Sequence, residues 1–315
     1  MSLPKCLVLL STYNGENYIE EQLDSLIKQE GVQLHILIRD DGSKDSTTNI
    51  VNRFTAQFPN IISLIKATNL GAKASFFELI KAAAEEYPNF EYYAFCDQDD
   101  VWLPGKLHRA VSTICKLHQQ LPLMYCSSTQ MVDMSLSNLK IWPSPPKRNL
   151  GMYNALVENV AVGCTTVLNK EALRMIASST PAEVSRIIMH DWWAYLCVSA
   201  FGKVIFDYQP LILYRQHSNN VLGGQTDSWF NKWKKRFHRY FQGQNHYIIS
   251  NQAMEFYKCF HHRLDDTKRL DLHHFIQVAD SGPLSRIAYA MSTPFYRQSN
   301  ADQCILKLII CMGKV

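Results

Sequence analysis

Phe95-Cys96-Asp97-Gln98-Asp99-Asp100-Val101-Trp102-Leu103-Pro104 places three carboxylates where a strand ends. The strand is Tyr92-Tyr93-Ala94-Phe95, a short aromatic run of the kind that pairs into a sheet, and the stretch stops at a proline. Carboxylates this close repel one another unless a cation or a donor-rich ligand neutralises them. One reading is a solvated acidic turn. The other is a hard divalent ion, Mg2+ or Mn2+, which takes oxygen ligands and sits between one or two carboxylates and the phosphates of a substrate. So short a motif does not decide between them; the flanking chain does.

Upstream, Leu7-Val8-Leu9-Leu10 reads as a buried strand and Ser11-Thr12-Tyr13-Asn14-Gly15 as its turn. From Tyr18 the apolar residues fall at helical spacing behind Glu20 and Glu21. His35-Ile36-Leu37-Ile38 is a second strand ending at Asp40-Asp41-Gly42-Ser43, and Ile61 to Ile65 is a third. Asn69-Leu70-Gly71 turns into an alanine-rich helix over 74–86 that ends before Pro88. Strands alternating with helices predict right-handed crossovers and an α/β fold: a mixed, mostly parallel, Rossmann-like sheet flanked by helices. Ligands bind at the carboxyl ends of such strands, where Thr12, Asp40, Asp41, Asp97 and Asp99 all fall. That convergence favours a nucleotide site over a bare acidic turn.

Downstream, 107–117 reads as a helix, 124–127 and 165–168 as strands, and Pro143-Ser144-Pro145-Pro146 as a loop. Helical spacing returns around Met189-His190-Asp191-Trp192-Trp193. Trp192 and Trp193 are either core or, like Trp102, rings for the apolar face of a sugar. Strands at 204–206 and 211–214 lead into Arg215-Gln216-His217 and Gly223-Gly224. The composition then changes, with aromatics interleaved among cations over 229–241. These features divide the chain into a nucleotide-binding and catalytic domain over 1–224 and a helical C-terminal region over 225–315.

At 315 residues, 47% hydrophobic and 19% charged, the chain can bury a large core, and composition excludes disorder. Nine cysteines without a Cys-x-x-Cys pair argue against a disulfide framework and a zinc site, and predict a reducing cytoplasm. The expectation is a protein with no signal peptide and no spanning helix, soluble or peripheral. Net charge is +4. Lys232, Lys234, Lys235, Arg236 and Arg239 stand against Asp227 alone, and setting these aside leaves 27 basic and 27 acidic residues elsewhere. One segment therefore carries the whole imbalance. A nucleic-acid partner needs a wider basic face, so none is expected. A solvated helix and an amphipathic surface for anionic lipid both stay open for this segment, and lipid is favoured.

Ser-Thr-Tyr-Asn-Gly at 11–15, Asp-Asp-Gly-Ser at 40–43, Asn-Leu-Gly at 69–71 and Asp-Gln-Asp-Asp at 97–100 occur in an order that resembles glycosyltransferase family 2, the inverting enzymes of GT-A fold. Asp-Gln-Asp-Asp-Val-Trp, His-Asp-Trp-Trp and Tyr-Arg-Gln-His are most similar to the bacterial rhamnosyltransferases of surface polysaccharide synthesis. The resemblance covers about residues 5 to 224. It implies that Thr12 and Tyr13 line a nucleotide pocket and that Asp40 or Asp41 bonds the imide of uracil or thymine. Asp97 would approach the ribose and Asp99 would bind Mn2+ or Mg2+ on the diphosphate. Asp191 would be the general base. Many relatives have glutamate where this chain has His190, leaving that residue to orient Asp191 or contact the acceptor. His217 is structural or reaches the metal, and Arg215 pairs with phosphate.

The implied reaction moves L-rhamnose from a dTDP-linked donor to a polyprenyl-diphosphate-linked glycan at the inner face of the cell membrane, on an anionic surface. A UDP-hexose or UDP-N-acetylhexosamine transferase of the same fold is the alternative, and a non-catalytic membrane-associated scaffold is a further one. A nucleotidyltransferase would carry a glycine-rich loop with a lysine after the first strand, which 11–15 lacks. Oligomeric state, including a homo-oligomer, stays open.

Overall fold

Leu7, Val8, Leu9 and Leu10 are completely buried in β1 (Lys5–Thr12), an unbroken apolar run that marks a strand covered on both faces. The structure, a computed structural model, describes residues 2–179, 181–216 and 246–315. His217, the expected boundary at 224 and the basic aromatic segment lie outside the described residues. α1 (Ile19–Ile27) buries Ile19, Leu23 and Leu26, four and three residues apart, on one helical stripe. β2 (Gln33–Asp40), α2 (Thr47–Gln57), β3 (Ile62–Lys66), α3 (Ala72–Glu86) and β4 (Tyr92–Cys96) repeat the alternation. β1 pairs in parallel with both β2 and β4, and β2 with β3.

β5 (Val101–Trp102), α4 (Lys106–Ile114), β6 (Leu123–Ser127), β7 (Thr129–Val132) and β8 (Asn138–Trp142) follow. Next come α5 (Met152–Ala155), β9 (Val167–Asn169), α6 (Lys170–Ser178), α7 (His190–Phe201), β10 (Lys203–Asp207) and β11 (Ile212–Arg215). The main sheet has the order β10-β6-β9-β4-β1-β2-β3, with β9 antiparallel to β4 and β6 and every other pairing parallel. This is the mixed, mostly parallel sheet expected. A second sheet, β5-β11-β7-β8, was not legible in sequence. Its β5 has two residues, and β8 is mostly exposed, so neither carries an apolar signature.

The chain divides into two units. One comprises Met1–Pro146, Asn159–Thr180 and Met189–Arg215 and contains both sheets. The other comprises Lys147–Glu158, Pro181–Ile188 and Gln216–Val315, so two short segments from the first two-thirds of the chain group with the C-terminal helices. Hydrogen bonds within this unit hold the first of them: Tyr153 Oη donates to Asp271 (2.7 Å) and Arg297 Nε to Val157 O (3.0 Å). The helices are α8 (Ile248–Phe260), α9 (Asp266–Gln277), α10 (Pro283–Ser292) and α11 (Asn300–Cys311). Asp265 caps α9 and Ser299 caps α11, each accepting a backbone N–H of the first turn. On α11, Leu306 and Ile310 are buried while Leu308 is exposed, so the terminal apolar run packs one face on its own unit. Among the described residues no helix is long and apolar enough to cross a membrane.

Candidate active site

Register brings the polar turns together. Thr12 pairs with Asp40, and Leu10 with Cys96, so the turn at 97–100 emerges beside the ends of β1 and β2. Gln98, unnoticed in the motif, joins two of these turns. Its Oε1 accepts from Thr12 Oγ1 (2.6 Å) and Tyr13 N (2.9 Å), and its Nε2 donates to Tyr13 O (3.1 Å). The Tyr13 side chain stays exposed at this rim.

Asp40 and Asp41 are both buried but do different things. Asp41 pairs with Arg39 and accepts the backbone N–H groups of Leu70 (2.9 Å) and Gly71 (2.8 Å). Gly71 takes φ of 81°, which a side chain would resist, and so lets its N–H turn back to Asp41 ahead of α3. Arg39 also donates to Ser75 Oγ (2.9 Å) and Thr68 O (3.2 Å). Asp41 is thus an anchor. Asp40 accepts only Ser43 N (3.1 Å) on Oδ2 and keeps Oδ1 buried and unpaired. Of the two candidates for the base imide, Asp40 has the open acceptor.

The acidic turn is crowded. Burial, then the charges of Asp99 and Asp191, push the Asp97 carboxyl up to about 8. Burial with Asp99 and Asp97 drives Asp100 well above the usual carboxylate range. Donor atoms of Asp97, Asp100 and Cys164 lie within 4.8 Å of one another. Asp100 Oδ1 accepts Arg215 N (3.2 Å), and the Cys164 thiol hydrogen-bonds to the same carboxyl. Carboxylates grouped this closely on one turn fit a divalent cation by charge and by oxygen donors.

Asp191 lies in the first turn of α7, and its charge is one of those that raise the Asp97 carboxyl. It is 5% exposed. Burial raises it to about 6, opposed by the N–H of Trp192 (2.7 Å) and Asn159 Nδ2 (3.1 Å). Gly163 passes so close that a Cβ there would meet Asp191 Oδ2 at 3.4 Å. His190 faces elsewhere. Its ring stacks on Phe76 at 3.7 Å between centroids, lies edge-on to Phe95 and has both nitrogens unpaired, and burial lowers it to about 3. The expectation that His190 orients Asp191 or touches an acceptor is therefore corrected: it is a neutral ring in an aromatic slot.

A sequence profile of glycosyl transferase family 2 matches residues 7–176, over half of the chain. The chain belongs to glycosyltransferase family 2. It is 33% identical over 237 residues to the dTDP-rhamnosyl transferase RfbG of Shigella flexneri, covering 72% of this chain and 77% of that one. It is 28% identical over 161 residues to the Escherichia coli UDP-Glc:alpha-D-GlcNAc-diphosphoundecaprenol beta-1,3-glucosyltransferase WfgD, covering 51% of this chain and 58% of that one. Among solved structures it is similar in fold to S. aureus TarS with UDP-GlcNAc, at TM-score 0.58 and 16% identity over 92% of this chain and 82% of that one. The mannosyltransferase PcManGT of Pyrobaculum calidifontis, in complex with GDP-Man and Mn2+, gives TM-score 0.54 at 14% identity over 98% and 80%. The fold is GT-A, as the resemblance implied.

Other residues of this family 2 glycosyltransferase sit where sequence did not place them. Arg215 is buried; its guanidinium pairs with Glu21 and donates to Asp99 O (3.0 Å) and Met134 O (2.8 Å). It holds the acidic turn from behind instead of offering a phosphate its fork. Trp193 and Trp102 are core residues, 0% and 2% exposed, and the sugar role expected for them is corrected. Trp102 instead covers the Lys106 ammonium at 3.4 Å from its ring centroid. Trp192 is partly exposed. Asn159, Cys164 and Lys106 carried no signal in sequence, because each reaches the site only through folding.

Proposed function

We propose that the enzyme transfers L-rhamnose from dTDP-rhamnose to a hydroxyl of a polyprenyl-diphosphate-linked glycan, with inversion at the anomeric carbon. The observation that carries this is Asp191, a buried carboxyl with raised proton affinity, within electrostatic reach of Asp97 at the strand ends. Asp40 Oδ1 would accept the imide N–H of thymine, with Thr12 and Tyr13 lining the base and Asp97 approaching the ribose. The acidic turn, Asp97, Asp99 and Asp100, would hold Mn2+ or Mg2+. Such an ion, when bound, neutralises charge on a nucleoside diphosphate leaving group. Asp191 would take the acceptor hydroxyl proton as that oxygen attacks from the face opposite the leaving group, while Asn159 and the Trp192 N–H hold the carboxylate in line. Trp192 would present its ring to the sugar.

RfbG similarity supports the dTDP-rhamnose donor, and the WfgD likeness supports a second reading with a UDP-linked hexose. Calorimetric titration with dTDP-rhamnose, UDP-glucose and UDP-N-acetylglucosamine, each with and without Mn2+, separates them. Manganese-dependent binding of dTDP-rhamnose is expected. Preference for a UDP sugar moves the donor to the second reading, and binding of none removes the transfer proposal. The basic segment would hold the enzyme at the inner membrane face. Replacing Lys234, Lys235 and Arg236 with glutamine should release it from anionic vesicles, and persistent binding would take that role from the segment.

A further inference from the structure

α10 (Pro283–Ser292) is amphipathic the wrong way round for a helix in water. Arg286 and Tyr289 are partly withdrawn from solvent and Ala290 is buried, while Leu284, Ile287, Ala288 and Met291 are exposed. Those four fall at i, i+3, i+4 and i+7, one stripe of the helix, and no charge interrupts it. Leu284 and Met291, 84% and 74% exposed, are the two most exposed large apolar side chains among the described residues. A single exposed leucine is ordinary on a protein surface, but a continuous apolar stripe marks a contact with something else. α11 packs against α10, the turn after it brings Gly313 against the Arg286 guanidinium, and it exposes Leu308 and Met312.

The charge around the stripe selects the occupant. Outside the basic segment, the 27 cations and 27 acids do not divide evenly between the two units: the one that contains α10 holds eleven against eight, and the other sixteen against nineteen. From Pro283 to Lys314, Arg286, Arg297, Lys307 and Lys314 stand against Asp302 alone, so the two helices and their flanks carry that whole excess. An apolar stripe among cations complements a bilayer with anionic headgroups, whereas two copies of the same face would bring like charges together. We infer that the Leu284–Met291 face of α10 docks on an anionic membrane, its apolar side chains seated at the boundary between headgroups and acyl chains. The inference deepens the membrane placement proposed above through a different element. The basic segment would supply attraction that salt screens; α10 supplies apolar burial that salt leaves in place.

The full chain should be sedimented with vesicles of phosphatidylcholine mixed with phosphatidylglycerol, and with phosphatidylcholine alone, in low and high salt. Wild type should prefer the anionic vesicles, and part of that binding should survive high salt. Leu284→Gln with Met291→Gln, a change that adds no charge, should lower the vesicle partition coefficient about tenfold or more. Its thermal midpoint and nucleotide affinity should stay as in wild type, and Leu284→Met with Met291→Leu should keep wild-type binding. Undiminished binding of the glutamine pair overturns the inference. So does a wild type that elutes as a dimer which the glutamine pair dissociates, since the stripe is then an interface between copies. The Lys234, Lys235 and Arg236 glutamine variant separates the two membrane elements. If it is released while the α10 variant still binds, α10 alone loses its role; the reverse result takes the role from the basic segment alone.

Discussion

Asp191 is buried, raised to about 6 and held by Asn159 and a backbone N–H, which suits a base that must be ionised at neutral pH yet accept a proton. Asp191→Asn should lower kcat by about 10²–10⁴ while leaving donor affinity nearly unchanged. Equal turnover in the variant would move the base elsewhere. The ionised form is the active one, so kcat/KM should climb with pH through about 6, and a profile flat from about pH 5 to 8 would contradict the assignment. Asp40 and Asp41, adjacent in sequence, should respond oppositely. Asp41→Ala strands the buried Arg39 and two N–H groups, and should cost about 3–5 kcal/mol in urea denaturation. Asp40→Ala removes an acceptor with one partner, so its larger effect should be on nucleotide affinity.

Elements deliver these side chains because parallel strands end in register. β1 stops at Thr12, β2 at Asp40 and β4 at Cys96, and each turn that follows is polar because the buried strand before it has used its apolar residues for the core. Gln98 ties the turn after β4 to the turn after β1 through both halves of its amide, acting as one extra rung between neighbouring strands. Gln98→Ala should raise donor KM about tenfold by loosening the Tyr13 loop, at a stability cost of about 1–2 kcal/mol for the lost hydrogen bonds. An unchanged KM in steady-state kinetics would leave Gln98 without a positioning role.

Over the whole molecule, burying several carboxylates in one place makes stability depend on pH and cation. Asp97 keeps its proton up to about 8 in the fold and up to about 4 when unfolded, so between those values the folded state binds more protons. Metal-free protein should therefore lose stability as pH rises through that window. Thermal melts should show Tm falling from about pH 5 to about pH 8, and Mn2+ restoring more at the upper value than the lower. A Tm that rises across the window, or a Mn2+ shift equal at both ends, would count against the buried cluster.

The sequence by itself determined the alternating strands and helices, the main sheet's carboxyl rim and the family, because buried strands need apolar runs and their ends need short polar turns, both local in the chain. It gathered Thr12, Asp40, Asp97 and Asp99 at one rim for the same reason. Tertiary structure alone decided which of those groups were engaged. Asp41 is closed by Arg39 and the 70–71 backbone, Asp100 by the Arg215 N–H and the Cys164 thiol, Arg215 by Glu21, and Trp102 and Trp193 by the core, while Asp40 keeps an unpaired oxygen. It also set Cys164 against Asp97 and Asp100, more than sixty residues away, and replaced the expected partner of Asp191 with Asn159. Hydrogen-bond completion and burial depend on what arrives from distant segments, and no spacing within a motif encodes that.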